Sequence, residues 1–214
     1  MTTAVAKRDP RITTAMELMR LMQGRLAAAL PDGCGITAKR LAQIAVVTVA
    51  QNKDLLAAIQ HSPDAFCLAV MRAAMWGLDP SGLTMEGYLV PFKNHGTPSV
   101  QFMPGYRGMV KVIHRSGVVS SVFAEVVCEG DVFEFDLLSS RQPKHVPNLS
   151  PGRRKRDIVA VYAFARMHGG GHQMVVLTRD EIEHFRSFSK MGKSGPWVDH
   201  WEEMAKKTAL FRLA

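Results

Sequence analysis

The chain has 214 residues, 47% hydrophobic and 21% charged, enough to bury a core as one large or two small domains, and this composition excludes a disordered chain. Its 27 Lys and Arg against 19 Asp and Glu leave a net charge of +8, suited to a nucleic-acid or anionic-membrane partner and silent about fold. Cys34, Cys67 and Cys128 are scattered and form no Cys-x-x-Cys pair, which excludes a disulfide framework or zinc finger and fits reduced thiols in a cytoplasm.

The N-terminus lacks the apolar core of a signal peptide, and no apolar run approaches the ~20 residues that cross a bilayer. A cytoplasmic protein without a membrane partner is expected. Residues 1–78 read as a helical lobe. Thr13 or Thr14 can cap a first helix in which Met16, Leu18, Met19, Met22 and Leu26 recur at helical spacing, until Leu30, Pro31, Asp32 and Gly33 stop it. Thr37 precedes a second helix through Leu41, Ile44, Ala45, Val47 and Val49. Ser62 followed by Pro63 starts a third, which turns Phe66, Ala69, Val70 and Ala73 inward and ends at Gly77, with Leu78 placed for a Schellman contact. These methionine-rich stripes suit core or subunit packing better than a lipid or cofactor box.

After Asp79, Pro80, Ser81 and Gly82 the period changes from helix to strand, and residues 79–214 read as an α+β core. Residues 88–92 and 100–102 flank a turn at 94–97. A helix follows on which Arg107, Lys111 and Arg115, four residues apart, form one basic stripe, while Met109, Val110, Val112 and Ile113 cover the opposite side. Such a helix anchors one face and offers cations on the other, as a polyanion requires; a merely solvated basic face is the plain alternative. Residues 118–128 and 132–137 suggest a second hairpin around Glu129, Gly130 and Asp131. Residues 158–167 and 173–177 suggest a third, around Gly169, Gly170 and Gly171. The expected sheet is antiparallel, with the basic helix crossing it.

Residues 139–156 hold three prolines and six Lys or Arg without an acid, and read as a mobile basic loop. Its Arg153, Arg154, Lys155 and Arg156 repel one another unless an anion meets them. Two C-terminal helices are announced by Thr178 with Glu181 and by Asp199 with Glu202, both at capping-box spacing. The basic loop between them carries Lys190 and Lys193 and ends in Trp197. On the last helix Trp201, Met204, Ala205, Thr208 and Phe211 share one face, with Leu210 and Leu213 on another. There Lys206 and Lys207 can pair with Glu202 and Glu203, and Arg212 joins the Trp201 face.

Several motifs go no further. Gly192, Lys193 and Ser194 resemble the tail of a P-loop, but Ser187 stands where its first glycine belongs and a helix precedes it, so no ATP site is expected. Glu125, Glu129, Asp131, Glu134 and Asp136 could hold Mg²⁺ for a nuclease, although an exposed sheet face gives the same pattern. His168 and His172, flanking three glycines, are a weaker metal pair.

Leu78-Asp79-Pro80, residues 87–92 (Gly-Tyr-Leu-Val-Pro-Phe), residues 100–108 (Val-Gln-Phe-Met-Pro-Gly-Tyr-Arg-Gly), Arg115-Ser116-Gly117, Gly195-Pro196-Trp197 and residues 203–208 (Glu-Met-Ala-Lys-Lys-Thr) occur in this order. Together they resemble the RecT family of phage single-strand annealing proteins, from about residue 40 to the end. The resemblance implies annealing of complementary DNA strands without ATP or covalent catalysis, in a homo-oligomeric ring or helical filament, during homologous recombination. It also implies a 5′-to-3′ exonuclease and a host single-strand-binding protein as partners, with any Mg²⁺ held between DNA phosphates. Family members typically continue past the last helix, so the chain resembles a core without that tail. They often carry a second arginine where this chain has Phe211.

Annealing must neutralise phosphates and leave bases free to pair, so contacts should fall on the backbone and ignore sequence. No catalytic or metal-ligating residue is expected. The expected contacts to single-stranded and annealed duplex DNA are Arg107, Lys111 and Arg115, with Gln101 and Tyr106 beside them. Lys93, Arg153, Arg154, Lys155, Arg156, Lys190, Lys193, Lys206, Lys207 and Arg212 reinforce them. Tyr88, Phe102, Tyr106 and Trp197 are candidates to stack on bases, with core packing as the alternative.

Overall fold

A computed structural model of the chain describes residues 9–136, 143–150, 152, 157–189, 192–193 and 195–214. The architecture is α+β, and it divides into two compact units, Met1–Gly108 and Met109–Ala214.

In the first unit, helix α1 (Pro10–Ala29) begins ahead of Thr13 and Thr14. Asp9 is its N-cap, with the carboxylate accepting the Arg11 N–H at 2.9 Å, and Pro10 takes the first helical position. Helix α2 (Ala38–Ala50) starts at Thr37, whose hydroxyl accepts the Arg40 N–H. The apolar run of α2 hides a break. Asn52 accepts the N–H groups of Asp54 and Leu55 through its side chain and starts a separate helix, α3 (Lys53–His61). Among the described residues, four helices therefore precede residue 78 where three were expected. Helix α4 (Pro63–Trp76) ends at Gly77 in the left-handed conformation, φ 58°, and the Leu78 N–H returns to the Ala73 carbonyl at 3.1 Å. Leu78 is fully buried.

Strands β1 (Gly87–Asn94) and β2 (Thr97–Pro104) form an antiparallel hairpin, in register from Gly87 opposite Pro104 to Asn94 opposite Thr97. The two-residue turn uses His95 and Gly96, both at positive φ. Strand β2 packs on α3 and α4, and the Ser62 hydroxyl, instead of capping α4, donates to the Pro98 carbonyl at 2.9 Å. The hairpin thus shares the helices' core, and the compact unit runs past the change of period at residue 78 to Gly108. Helix α5 (Tyr106–Arg115) follows.

The second unit is built on a three-stranded antiparallel sheet, which departs from the expected pairing. Strand β3 (Val119–Cys128) pairs not with the next strand, β4 (Val132–Glu134), but with β6 (Ile158–Met167). Strand β4 pairs with β5 (Lys144–Val146), inside the segment expected to be a loop. The Asp131 carboxylate accepts the N–H groups of Cys128 at 3.0 Å and Asn148 at 2.8 Å, so it turns the chain away from β3 and holds the returning segment. Strand β7 (His172–Thr178) completes the order β3–β6–β7 through the expected glycine turn.

Val161 through Ala165 of the central strand are all buried, so the middle of this strand is covered on both faces. Tyr162 and Phe164 pack with Val127, Phe133, Met174 and Val176. His145 of β5 bridges two of these layers: one ring nitrogen lies 3.1 Å from the Asp131 carboxylate and the other 3.2 Å from the Tyr162 hydroxyl.

Helix α6 (Arg179–Ser187) carries the complete capping box, with Thr178 accepting the Glu181 N–H and the Glu181 carboxylate accepting the Thr178 N–H. Thr178→Ala is expected to lower stability by about 1 kcal/mol, measured by denaturant unfolding. That Thr178 N–H, with the hydroxyl, holds the Glu181 carboxyl below its usual range. A depressed carboxylate pKa stabilises above its unfolded value, so the effect of the box is present at neutral pH and fades on acidification. The second expected box does not form. Asp199 ends the short helix α7 (Pro196–Asp199), and α8 (Trp201–Leu213) has His200 at its N-cap without a side-chain cap bond. Helix α8 packs across β3, β6 and β7, burying Ala209 and Leu210 with Ala205 of the Trp201 face; Trp201, Met204 and Thr208 of that face are half-buried and Phe211 is exposed.

Candidate nucleic-acid interface

Helix α5 is positioned by the backbone before β1. The Glu86 carbonyl accepts the Gly105 N–H at 2.9 Å. A Cβ on Gly105 would run into the Met85 carbonyl, and one on Gly108 into the Glu86 carbonyl. Both glycines therefore let the first turn of α5 lie directly on the 85–86 backbone, a signal already present in the spacing Gly105-Tyr106-Arg107-Gly108. From this fixed start, Arg107, Lys111 and Arg115 follow at one-turn intervals along α5. Arg107 is exposed, Lys111 and Arg115 are half-buried, and Met109 is buried. Gln101 on β2 and Tyr106 are half-buried, and Lys93 is exposed near the tip of the β1–β2 hairpin.

The remaining expected DNA-binding residues separate into distinct environments. Lys206 of α8 already meets two carboxylates, Glu202 at 2.8 Å and Glu125 at 3.2 Å. Burial pushes its ammonium pKa down, but the Glu202 hydrogen bond and both acidic charges outweigh this and hold it above the ordinary lysine value. Lys207 does not take the expected Glu203 pairing. It lies 5.8 Å from the Phe211 ring, and burial lowers its pKa. Arg212 is exposed, with its guanidinium 5.2 Å from the Phe185 ring. Lys193 is exposed in the 192–193 turn. Arg153, Arg154, Lys155, Arg156 and Lys190 lie outside the described residues.

Two of the four stacking candidates take the core-packing alternative. Trp197 is 5% exposed and Phe102 is 7% exposed; both fill the core of their own units, because apolar rings next to strands and helix starts are drawn inward. Tyr88 is 39% exposed, and Tyr106 is half-buried.

Lys207 permits a stability test with a definite sign. A lysine whose folded-state pKa is depressed opposes folding while it is charged, and this opposition disappears above the unfolded value of ~10.4. Lys207→Met keeps the stem and removes the charge. It is expected to raise the thermal midpoint at neutral pH, with the gain shrinking to nothing as pH passes ~10.5.

Three of the five hairpin acids are engaged by other residues. Asp131 is committed to its two N–H donors and His145, Glu125 to Lys206, and Glu134 to Lys144 at 3.3 Å. Among the described residues, no three His, Cys, Asp or Glu side chains converge as a metal site would require.

The RecT family model matches residues 39–214. The chain belongs to the RecT family. Protein RecT of Escherichia coli (strain K12) is 40% identical over 196 residues, covering 90% of this chain and 70% of that protein. Membership makes this a recombination-associated protein. The family match spans both compact units and includes all of α5 and α8. No helix among the described residues is long and apolar enough to cross a membrane.

Proposed function

We propose that this RecT-family chain is an ATP-independent single-strand annealing protein. It binds single-stranded DNA, and then the annealed duplex intermediate, along a basic groove in a homo-oligomer. The observation that carries this reading is the stripe Arg107–Lys111–Arg115 on a helix whose first turn is locked by Gly105 and Gly108. Two DNA strands repel each other along their whole length, and a row of cations at regular spacing lowers that repulsion without reading sequence. The chemistry breaks no covalent bond, so the protein works by positioning alone. Lys93, Lys193 and Arg212 add exposed cations, and Arg153 to Arg156 with Lys190 supply more in sequence. Mg²⁺, where present, associates with DNA phosphates.

In the cytoplasm such a protein would receive single strands from a 5′-to-3′ exonuclease and compete with the host single-strand-binding protein. Its helical N-terminal lobe would make the subunit contacts of a ring or filament. The deciding experiment adds two complementary dye-labelled oligonucleotides in succession, without ATP, and checks strand length on a denaturing gel. Accelerated pairing with intact strands supports annealing. Unchanged pairing rates would sink it, and shortened strands would transfer the argument to the hairpin acids.

A further inference from the structure

At the end of the β6–β7 hairpin lies a groove of about 420 Å³, with Ser120, Phe164, Arg166, His168 and His172 in its walls and the bare backbone of Gly170 and Gly171 beside them. Its chemistry is not that of a metal site. Among the described residues no acid lines it, and Arg166 would repel a cation. Its distinguishing feature is aromatic. The His172 ring is stacked on Phe164, with centroids 5.4 Å apart and planes 23° apart. Phe164 is 5.7 Å from Phe123, which is 39% exposed.

Strand register places these groups together. Arg166 pairs with His172 and Phe164 with Phe123, so all four side chains leave the same face of the sheet. Phe164 is buried and Arg166 exposed. The result is a supported ring with an exposed guanidinium beside it. This combination fits a flat, electron-rich ring attached to a phosphate.

Resting on the annealing reading, we infer that this groove seats one unstacked base of single-stranded DNA on His172, with the neighbouring phosphate held by Arg166. Phe123 and Phe164 form the platform beneath. A base inside a duplex is already stacked on both faces and cannot enter, so the groove favours the unpaired strand. It is separate from the phosphate stripe of α5 in chemistry: the stripe senses charge, and the groove senses the presence of a base.

The test compares two oligonucleotides of equal length and charge, one of thymidines and one of abasic sites, with the full chain. The parent should bind the thymidine strand about tenfold more tightly, within the range of one base–aromatic stack. His172→Ala should remove most of that preference, and His172→Phe, which keeps a ring on Phe164, should retain it. Arg166→Ala should weaken both oligonucleotides by the same factor. Equal parent affinity for the two strands, or an undiminished preference in His172→Ala, would overturn the inference while leaving annealing intact. If the parent binds neither oligonucleotide, the annealing reading fails along with it.

Discussion

Replacing Arg107 and Lys111 together by glutamine should lower affinity for single-stranded DNA roughly 65-fold at ~50 mM salt and roughly 14-fold at ~0.15 M. The difference between those figures is the informative part. Each cation withdrawn from a phosphate of a single strand takes about 0.7 off the slope of log affinity against log salt, so the double variant should flatten that slope by about 1.4. Glutamine keeps most of the stem that packs along the helix, so the charge is the main thing removed. The loss should be the same for oligonucleotides of different sequence, because phosphates carry no sequence information. A loss confined to one sequence, or a slope that does not change, would show that the stripe on α5 is not a phosphate track.

That stripe is legible in the sequence because it depends only on helical spacing, and α5 (Tyr106–Arg115) is the helix the spacing requires. The same local logic recovers the Thr178 capping box, the Gly77 stop and the β6–β7 hairpin, each set by residues within a few positions of one another. It fails where partners are far apart. Alternation in 118–137 is compatible with either neighbour, and nothing local says that β3 must cross to β6. What decides it is Asp131, buried with its carboxylate satisfied by Cys128, Asn148 and His145. A buried carboxylate needs those donors, and they come from position 128 and from positions 145 and 148, far apart in the sequence.

Charge type is also easier to read than charge environment. Lys206 and Lys207 are adjacent in sequence, yet one sits between two carboxylates and the other beside a phenylalanine ring. The partner that separates them, Glu125, comes from β3 and is invisible to helix spacing. The aromatic groove is hidden in the sequence for a similar reason. Spacing alone offers His168 and His172 only as a weak metal pair, whereas the ring that stacks on His172 is Phe164, which belongs to the adjacent strand and is brought there by register.

Gly108→Ala should be the most damaging small substitution in the first unit, costing about 3 kcal/mol and lowering the thermal midpoint by roughly 10–20 °C. The added methyl would collide with the Glu86 carbonyl oxygen and stand 2.8 Å from Leu78 Cδ1. Neither neighbour can retreat cheaply. Leu78 is fully buried and held by its N–H to Ala73, and the Glu86 carbonyl accepts the Gly105 N–H. Relief requires the first turn of α5 to lift, which breaks that bond and displaces Arg107, so DNA affinity should fall with stability. Gly24→Ala in the same unit makes the contrast. It lies inside α1 with nothing within 4 Å of the new methyl, and should stabilise by up to about 1 kcal/mol through helix propensity alone. Opposite signs for one chemical change, measured side by side, would tie the Gly108 effect to the backbone it touches; similar effects at both positions would dissolve that link.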